Sequence, residues 1–280
     1  MNESWLALMI GNSRLHWAWF IGTTLQEAWD TKHLPASAIQ QLIQHGVSGI
    51  LPETIFSPQV VSGQLSDTTN VLPLYLASVV PSQTTLWQTY PAVNVITLAQ
   101  VPLVGLYPTL GIDRALALLG AGETLGYPVL VIDAGTALTL TGADAECQLI
   151  GGAILPGLGL QLKSLTQDTA ALPTIQLPTQ LPPRWAMQTA SAIESGVIYT
   201  VLAGMQDFIV DWQSQFPRSQ IVLTGGDSPV LLSYLQSQYP QIASHVICNS
   251  HVIFWGMNAV RLKMAGEPIQ PSTSTFNPST

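Results

Sequence analysis

Apolar positions along the chain cluster into short runs that alternate with helix-like stretches. Residues 6–10 form an unbroken apolar run that stops at Gly11-Asn12-Ser13 and resumes at Leu15. Residues 129–132 form a second run, checked by Asp133 and followed by Ala134-Gly135-Thr136 before residues 137–140 turn strand-like again. Runs of this length, bounded by Gly and small hydroxyl or amide residues, read as buried strands joined by tight turns. Glycine bends without a Cβ clash, and Asn, Ser and Thr side chains satisfy local amides. Aligned on Gly11 and Gly135, the two segments share one pattern. That suggests two similar half-chains, each opening on a hairpin; two unrelated hairpins fit the spacing equally well.

The remaining periodicity predicts a helix over 36–45, a strand over 74–80 closed by Pro81, and an apolar helix over 113–125 closed by Gly126. In the second half it predicts one long helix over 186–208, a strand over 220–224, a helix over 229–238, a strand over 246–248 and a closing helix over 251–264. Strands alternating with helices favour an α/β fold. The proline-rich stretch 172–184 reads as an irregular loop, and the Pro/Ser/Thr-rich residues 266–280 as a fraying tail.

Composition narrows the function classes. The chain has 280 residues, 47% apolar and only 9% charged, with 8 Lys and Arg against 16 Asp and Glu. That apolar fraction excludes a wholly disordered chain. Eight basic residues cannot build the positive face that a phosphate backbone requires, so no nucleic-acid partner is expected. No apolar stretch approaches the ~20 residues of a membrane span, and Met1-Asn2-Glu3-Ser4 lacks the basic flank of a signal peptide. Cys147 and Cys248, like the five scattered histidines, show no metal-ligand spacing. A cytoplasmic protein without membrane contact is the expectation.

Because charge is scarce, the charged residues that interrupt apolar runs carry weight. In Gly111-Ile112-Asp113-Arg114 an acid and a base sit side by side at the start of a helix. Asp113 either caps that helix or takes a proton from a hydroxyl while Arg114 clamps an anion. Asp133, ending a buried strand, must be paired, hydrogen-bonded or bound to a cation. Gly225-Gly226 lies between a strand and a helix, where bare amides either meet a negative ligand or form an ordinary turn. Gly151-Gly152-Ala153-Ile154-Leu155-Pro156-Gly157 reads as a constrained turn.

In order along residues 6–256, these segments resemble the type III pantothenate kinases of the acetate and sugar kinase/Hsc70/actin superfamily. The matches are Gly11-Asn12-Ser13, Ala77-Ser78-Val79-Val80-Pro81, Gly111-Ile112-Asp113-Arg114, Asp133-Ala134-Gly135-Thr136-Ala137 and the 151–157 segment. Thr169-Ala170-Ala171-Leu172-Pro173, Thr189 with Ser195-Gly196, and Thr224-Gly225-Gly226-Asp227 complete them. The resemblance implies two ribonuclease H-like halves, 1–112 and 113–265, with a nucleotide cleft between them. It implies transfer of the γ-phosphoryl of ATP to pantothenate, the first step of coenzyme A synthesis. It also implies Mg²⁺, a monovalent cation (K⁺ or NH₄⁺) and a homodimer.

Residue by residue, the resemblance gives Met9, Ile10, Gly11, Asn12, Ser13, Arg14, Leu15 and His16 to the ATP phosphates, with Thr136, Gly225 and Gly226 as further nucleotide contacts. Asp113 becomes the proton acceptor, Gly111, Ile112, Arg114 and Thr189 substrate contacts, and Asp133 the monovalent-cation ligand. Tyr107 stands in for a tyrosine displaced from its usual place. Met9 departs from the family pattern, which carries an acid there, and a thioether is a poor partner for Mg²⁺. Glu3, Asp30 or water could compensate; otherwise Met9 favours a catalytically impaired relative that acts as a nucleotide-binding regulator.

Overall fold

The computed structural model describes residues 3–45, 72–167 and 175–268. Among them, ten strands form two five-stranded sheets, and the chain divides into two compact units. The first draws on residues 1–102, 107–124 and 253–280, the second on 103–106 and 125–252.

In the first unit β1 (Ser4–Ile10), β2 (Leu15–Ile21) and β3 (Thr24–Thr31) form an antiparallel meander. After α1 (Ala36–His45), β4 (Leu74–Ser78) pairs parallel to β1; after α2 (Pro81–Trp87), β5 (Val93–Val95) pairs parallel to β4. The strand order is β3-β2-β1-β4-β5. Both faces of β1 are buried, which explains its continuous apolar run. Leu6, Leu8 and Ile10 join Leu15, Trp17 and Trp87 in one core. On the opposite face Trp5 stacks on Phe20 at 4.3 Å between ring centroids.

That second face is covered from the far end of the chain. Trp255, on α8 (Val252–Met264), meets the Phe20 ring edge-on, and the Arg261 guanidinium lies 5.0 Å from the Trp5 ring. The helix α3 (Ile112–Leu125) also belongs to this unit, and α8 crosses it closely. A Cβ on Gly256 would stand 2.0 Å from the Leu116 carbonyl oxygen, so only glycine permits the contact.

The second unit repeats the plan. β6 (Val129–Ala134), β7 (Ala137–Ala143) and β8 (Leu149–Pro156) form an antiparallel meander, then come α4 (Leu158–Gln167) and α5 (Thr189–Gln215). β9 (Gln220–Thr224) pairs parallel to β6, and after α6 (Ser228–Gln238) and α7 (Pro240–Ala243), β10 (Val246–Cys248) pairs parallel to β9. The order β10-β9-β6-β7-β8 mirrors the first sheet strand for strand. The hairpin repeat is therefore a repeat of topology, and the fold is the duplicated α/β arrangement expected.

Two readings are corrected. Residues 151–156 are not a turn: they belong to β8, paired with β7 along its length. Opposite Gly151, the β7 residue Gly142 has to be glycine because Trp212 on α5 lies 2.4 Å from its Cβ position; Gly151 itself has open space at its own. The long helix begins at Thr189, after extended Gln188, and runs on to Gln215, where Phe216 before Pro217 leaves the helical region. By length and apolarity α5 could cross a membrane. Ile198, Leu202, Met205, Ile209 and Trp212, at three- and four-residue spacing, instead bury one stripe in this unit's core.

Gly256→Ala should cost on the order of 2 kcal/mol or more, because the obstacle is backbone. Gly204→Ala, in α5 with nothing within 4 Å of its Cβ position, should instead gain about 0.5–1 kcal/mol. Thermal midpoints of the two variants check the contrast.

Candidate active site

The first unit carries two of the predicted groups. The Met9–His16 segment is the end of β1, the turn and the start of β2, closed by the Gly11 N–H donating to the Arg14 carbonyl at 3.0 Å. Met9 is 1% exposed and ends in a thioether, so its side chain offers no oxygen. Glu3 cannot replace the missing acid: it precedes β1 at the end away from the turn, about 20 Å along a seven-residue strand. Asp30, on β3, is adjacent. Its Oδ1 lies 2.7 Å from His16 Nδ1, and its Oδ2 lies 3.7 Å from Arg14 Nη1. The His16 hydrogen bond, then the charges of His16 and Arg14, hold the Asp30 carboxyl below its ordinary range against the opposing effect of burial.

The second group opens α3. Asp113 sits in the first helical turn, where its Oδ1 accepts the Arg114 backbone N–H at 2.8 Å. The carboxylate folds back over Gly111, 2.3 Å from where a Cβ would be. Burial pushes its pKa up, only partly offset by the Arg114 N–H and guanidinium charge. Arg114 is 7% exposed, and its Nη1 donates to the Tyr107 hydroxyl at 3.0 Å. Ile112 is buried beneath this turn. A desolvated carboxylate beside a buried guanidinium can accept a proton and stabilise an anion.

In the second unit Asp133, Thr136, Gly225 and Gly226 gather around the ends of β6 and β9. Gly225, at φ +91°, passes so close that a Cβ would lie 2.5 Å from both Ala134 O and Asp133 Oδ1. Asp227 N–H donates to Ala134 O at 2.9 Å, and Ser228 Oγ to Gly225 O at 2.7 Å, fixing the turn that starts α6. The Thr136 carbonyl accepts from Gly157, whose own Cβ position lies 2.1 Å from Gly135 O. Pattern reading marked Gly157 only as the end of a supposed turn; its role as a support for the Thr136 loop needs three-dimensional contact to see.

Thr189 opens α5 and lines an open groove with Gln161, Leu165, Ile193, Gly196 and Thr200. The preceding loop is pinned onto this unit: Tyr234 donates to Pro178 O, Tyr199 to Pro182 O and Ser195 to Arg184 O. The Thr169–Pro173 segment lies outside the described residues. Among the described residues no three His, Cys, Asp or Glu side chains form a metal cage. A cation at Asp133 would thus rest on one carboxylate plus main-chain and ligand oxygens, a hard-oxygen set that suits a weakly bound monovalent ion.

The sequence model of the type III pantothenate kinase family matches residues 5–211. A type III pantothenate kinase of Nostoc sp. is 52% identical, covering 93% of this chain and 95% of its own. One of Synechocystis sp. is 46% identical, covering 92% and 90%. Among solved structures, a Baf-family transcriptional activator from Campylobacter jejuni aligns with a TM-score of 0.59 at 20% identity, over 93% of this chain and 98% of its own. MreB5 of Spiroplasma citri bound to AMPPNP aligns at 0.51 and 11%, over 95% and 98%. These two likenesses show the fold, that of the actin-like ATPases.

The glycine geometry separates two neighbours. Gly225→Ala should lose about 2 kcal/mol or more, from both its positive φ and its contact with Ala134. Gly226→Ala, with open space around it, should stay within about 0.5 kcal/mol of the parent in denaturant unfolding.

Proposed function

The chain belongs to the type III pantothenate kinase family, and on that premise we propose that Asp113 is the base of its reaction. The reaction moves the γ-phosphoryl of ATP onto the primary hydroxyl of pantothenate and gives 4'-phosphopantothenate, which opens coenzyme A biosynthesis. The observation that carries the assignment is the Asp113 carboxylate, desolvated, held over Gly111 and flanked by buried Arg114.

Phosphoryl transfer needs positioning and charge neutralisation more than a protein nucleophile. Asp113 Oδ accepts the hydroxyl proton as the oxygen attacks phosphorus, and Arg114, steadied by Tyr107, stabilises nearby negative charge. Gly111 and Ile112 shape the substrate side of this turn, and Thr189 contacts substrate from the groove at α5. The Met9–His16 turn takes the ATP phosphates, largely through main-chain N–H groups, with Thr136, Gly225 and Gly226 as further nucleotide contacts. Asp133 would hold K⁺ or NH₄⁺, and that cation, with the Mg²⁺ bound to ATP, would supply neutralisation of phosphate charge. Exposed Leu160 and Leu165 on α4, the latter in the Thr189 groove, support a homodimer formed over this face. The reaction runs in the cytoplasm.

A pantothenate-dependent ATP turnover assay, with and without K⁺, tests the assignment. Asp113→Asn should lower kcat by about 10²-fold or more while ATP still binds. An unchanged kcat removes Asp113 as the base, and binding without any turnover in the wild type points to the regulatory alternative. Asp113 works ionised and its pKa is raised, so the acid limb of kcat/KM for pantothenate should lie above the ordinary carboxylate value. The same upward shift makes this group's contribution to stability greatest in acid and lost as pH rises through the raised value. Asp113→Asn should therefore keep or raise the thermal midpoint at neutral pH. Gly111→Ala should fold, because only a side-chain end must move, but lose activity as the carboxylate is displaced.

A further inference from the structure

The loop that carries Tyr107 toward Arg114 is held from outside the candidate site. Residues 103–106 fold with the second unit, and Tyr107 begins the segment that folds with the first. Val104 makes a single parallel bridge to Gln148, on the connection between β7 and β8. Its N–H donates to the Cys147 carbonyl at 3.0 Å, and its carbonyl accepts the Leu149 N–H at 2.8 Å. β8 is an edge strand of its sheet, so its outer hydrogen-bonding groups can take such a bridge. Val104 is 56% exposed; main-chain bonds, not burial of its side chain, hold it.

The connection that receives Val104 is tightly specified. Asp144 N–H donates to the Gln148 carbonyl at 3.0 Å, and Cys147 N–H to the Asp144 carbonyl at 3.2 Å. The Asp144 Oδ1 accepts two further amides, from Glu146 at 3.0 Å and from Gln148 at 2.9 Å. Cys147 has a φ of 59°, in the left-handed region that residues with a side chain rarely enter. Such a conformation persists only where neighbouring bonds enforce it, and all four of those bonds involve Asp144.

Beyond the bridge, Gly105 turns at φ +74° beside Gln148 and Leu149, and the Tyr107 carbonyl accepts the N–H of buried Leu110 at 3.0 Å. Two fixed points thus bracket Tyr107, whose hydroxyl accepts Arg114 Nη1. Tyr107 lies three positions after Val104, about 11 Å of extended chain at most, so freedom gained at the bridge reaches that hydroxyl. We propose that Asp144 is a positioning residue for the phosphoryl transfer: it shapes the β7–β8 turn, the turn holds Val104, and that hold sets the Tyr107 hydroxyl against the Arg114 guanidinium. This rests on the assignment of Asp113 and Arg114 to the reaction and adds a residue that acts on it through Tyr107.

Steady-state kinetics on the full chain, paired with amide hydrogen exchange over residues 104–114, tests the link. Asp144→Ala should lower kcat/KM for pantothenate about tenfold and leave KM for ATP unchanged. The same variant should speed exchange at the Val104 and Leu110 amides, which are bonded to the turn and to Tyr107. Asp144→Asn keeps an Oδ1 acceptor and should match the wild type in both readings. In a Tyr107→Phe background, already slower for want of the hydroxyl, Asp144→Ala should add less than about twofold. Wild-type exchange in Asp144→Ala would overturn the proposal, as would a loss equally large in the Tyr107→Phe background; either leaves the kinase assignment standing. A wild type without pantothenate-dependent turnover removes that assignment instead, while the exchange rates still decide whether the turn holds the loop.

Discussion

Main-chain segments touch with no side chain between them at the ends of β6 and β9, and the second unit is arranged around that approach. Gly225 runs against Ala134 and Asp133, and Gly157 runs against Gly135 and Thr136. These contacts draw two turns and a carboxylate into one small volume. They also bring main-chain oxygens and amides there, beside the Asp133 carboxylate and the Ser228 hydroxyl. Under the proposed kinase reaction, backbone dipoles in a chain with eight basic residues would do much of what lysines and arginines do elsewhere.

The same economy shapes the start of α3. Asp113 and Arg114 are adjacent in sequence, yet they do not simply neutralise each other. The carboxylate is tied down by a main-chain N–H and by the space above Gly111, while the guanidinium turns to Tyr107. Desolvation of the acid then goes largely uncompensated, and a group that costs stability at neutral pH is kept in place.

Local pattern made much of this legible. The hairpins, the strands over 220–224 and 246–248, and the helix over 36–45 follow from apolar runs and their punctuation, and the structure has them at those residues. The Gly111–Arg114 segment stands out because charge is rare. What pattern could not show depends on contacts distant in sequence. β8 hides behind Gly151-Gly152, which read locally as a turn, and Gly157 makes sense only against Thr136. The pairing of Asp30 with His16 follows from β2–β3 register, which the polar residues of β3 do not advertise. Both halves share one topology, but Met9 and Asp133 occupy matching places before their turns with opposite chemistry. Duplication preserved the scaffold, and the two copies diverged in what they present.

The first unit is stitched from both termini, and this has a consequence for biogenesis. Trp5 and Phe20 emerge from the ribosome early, but the helix that shields them, bearing Trp255 and Arg261, is among the last segments made. Throughout synthesis of the intervening chain an aromatic sheet face stays uncovered, sticky toward other nascent chains and toward chaperones. The second unit, apart from a four-residue strand of chain at 103–106, is contiguous and can close first. Vectorial synthesis therefore favours a late, release-coupled step in which the carboxyl-terminal helix seals the amino-terminal sheet.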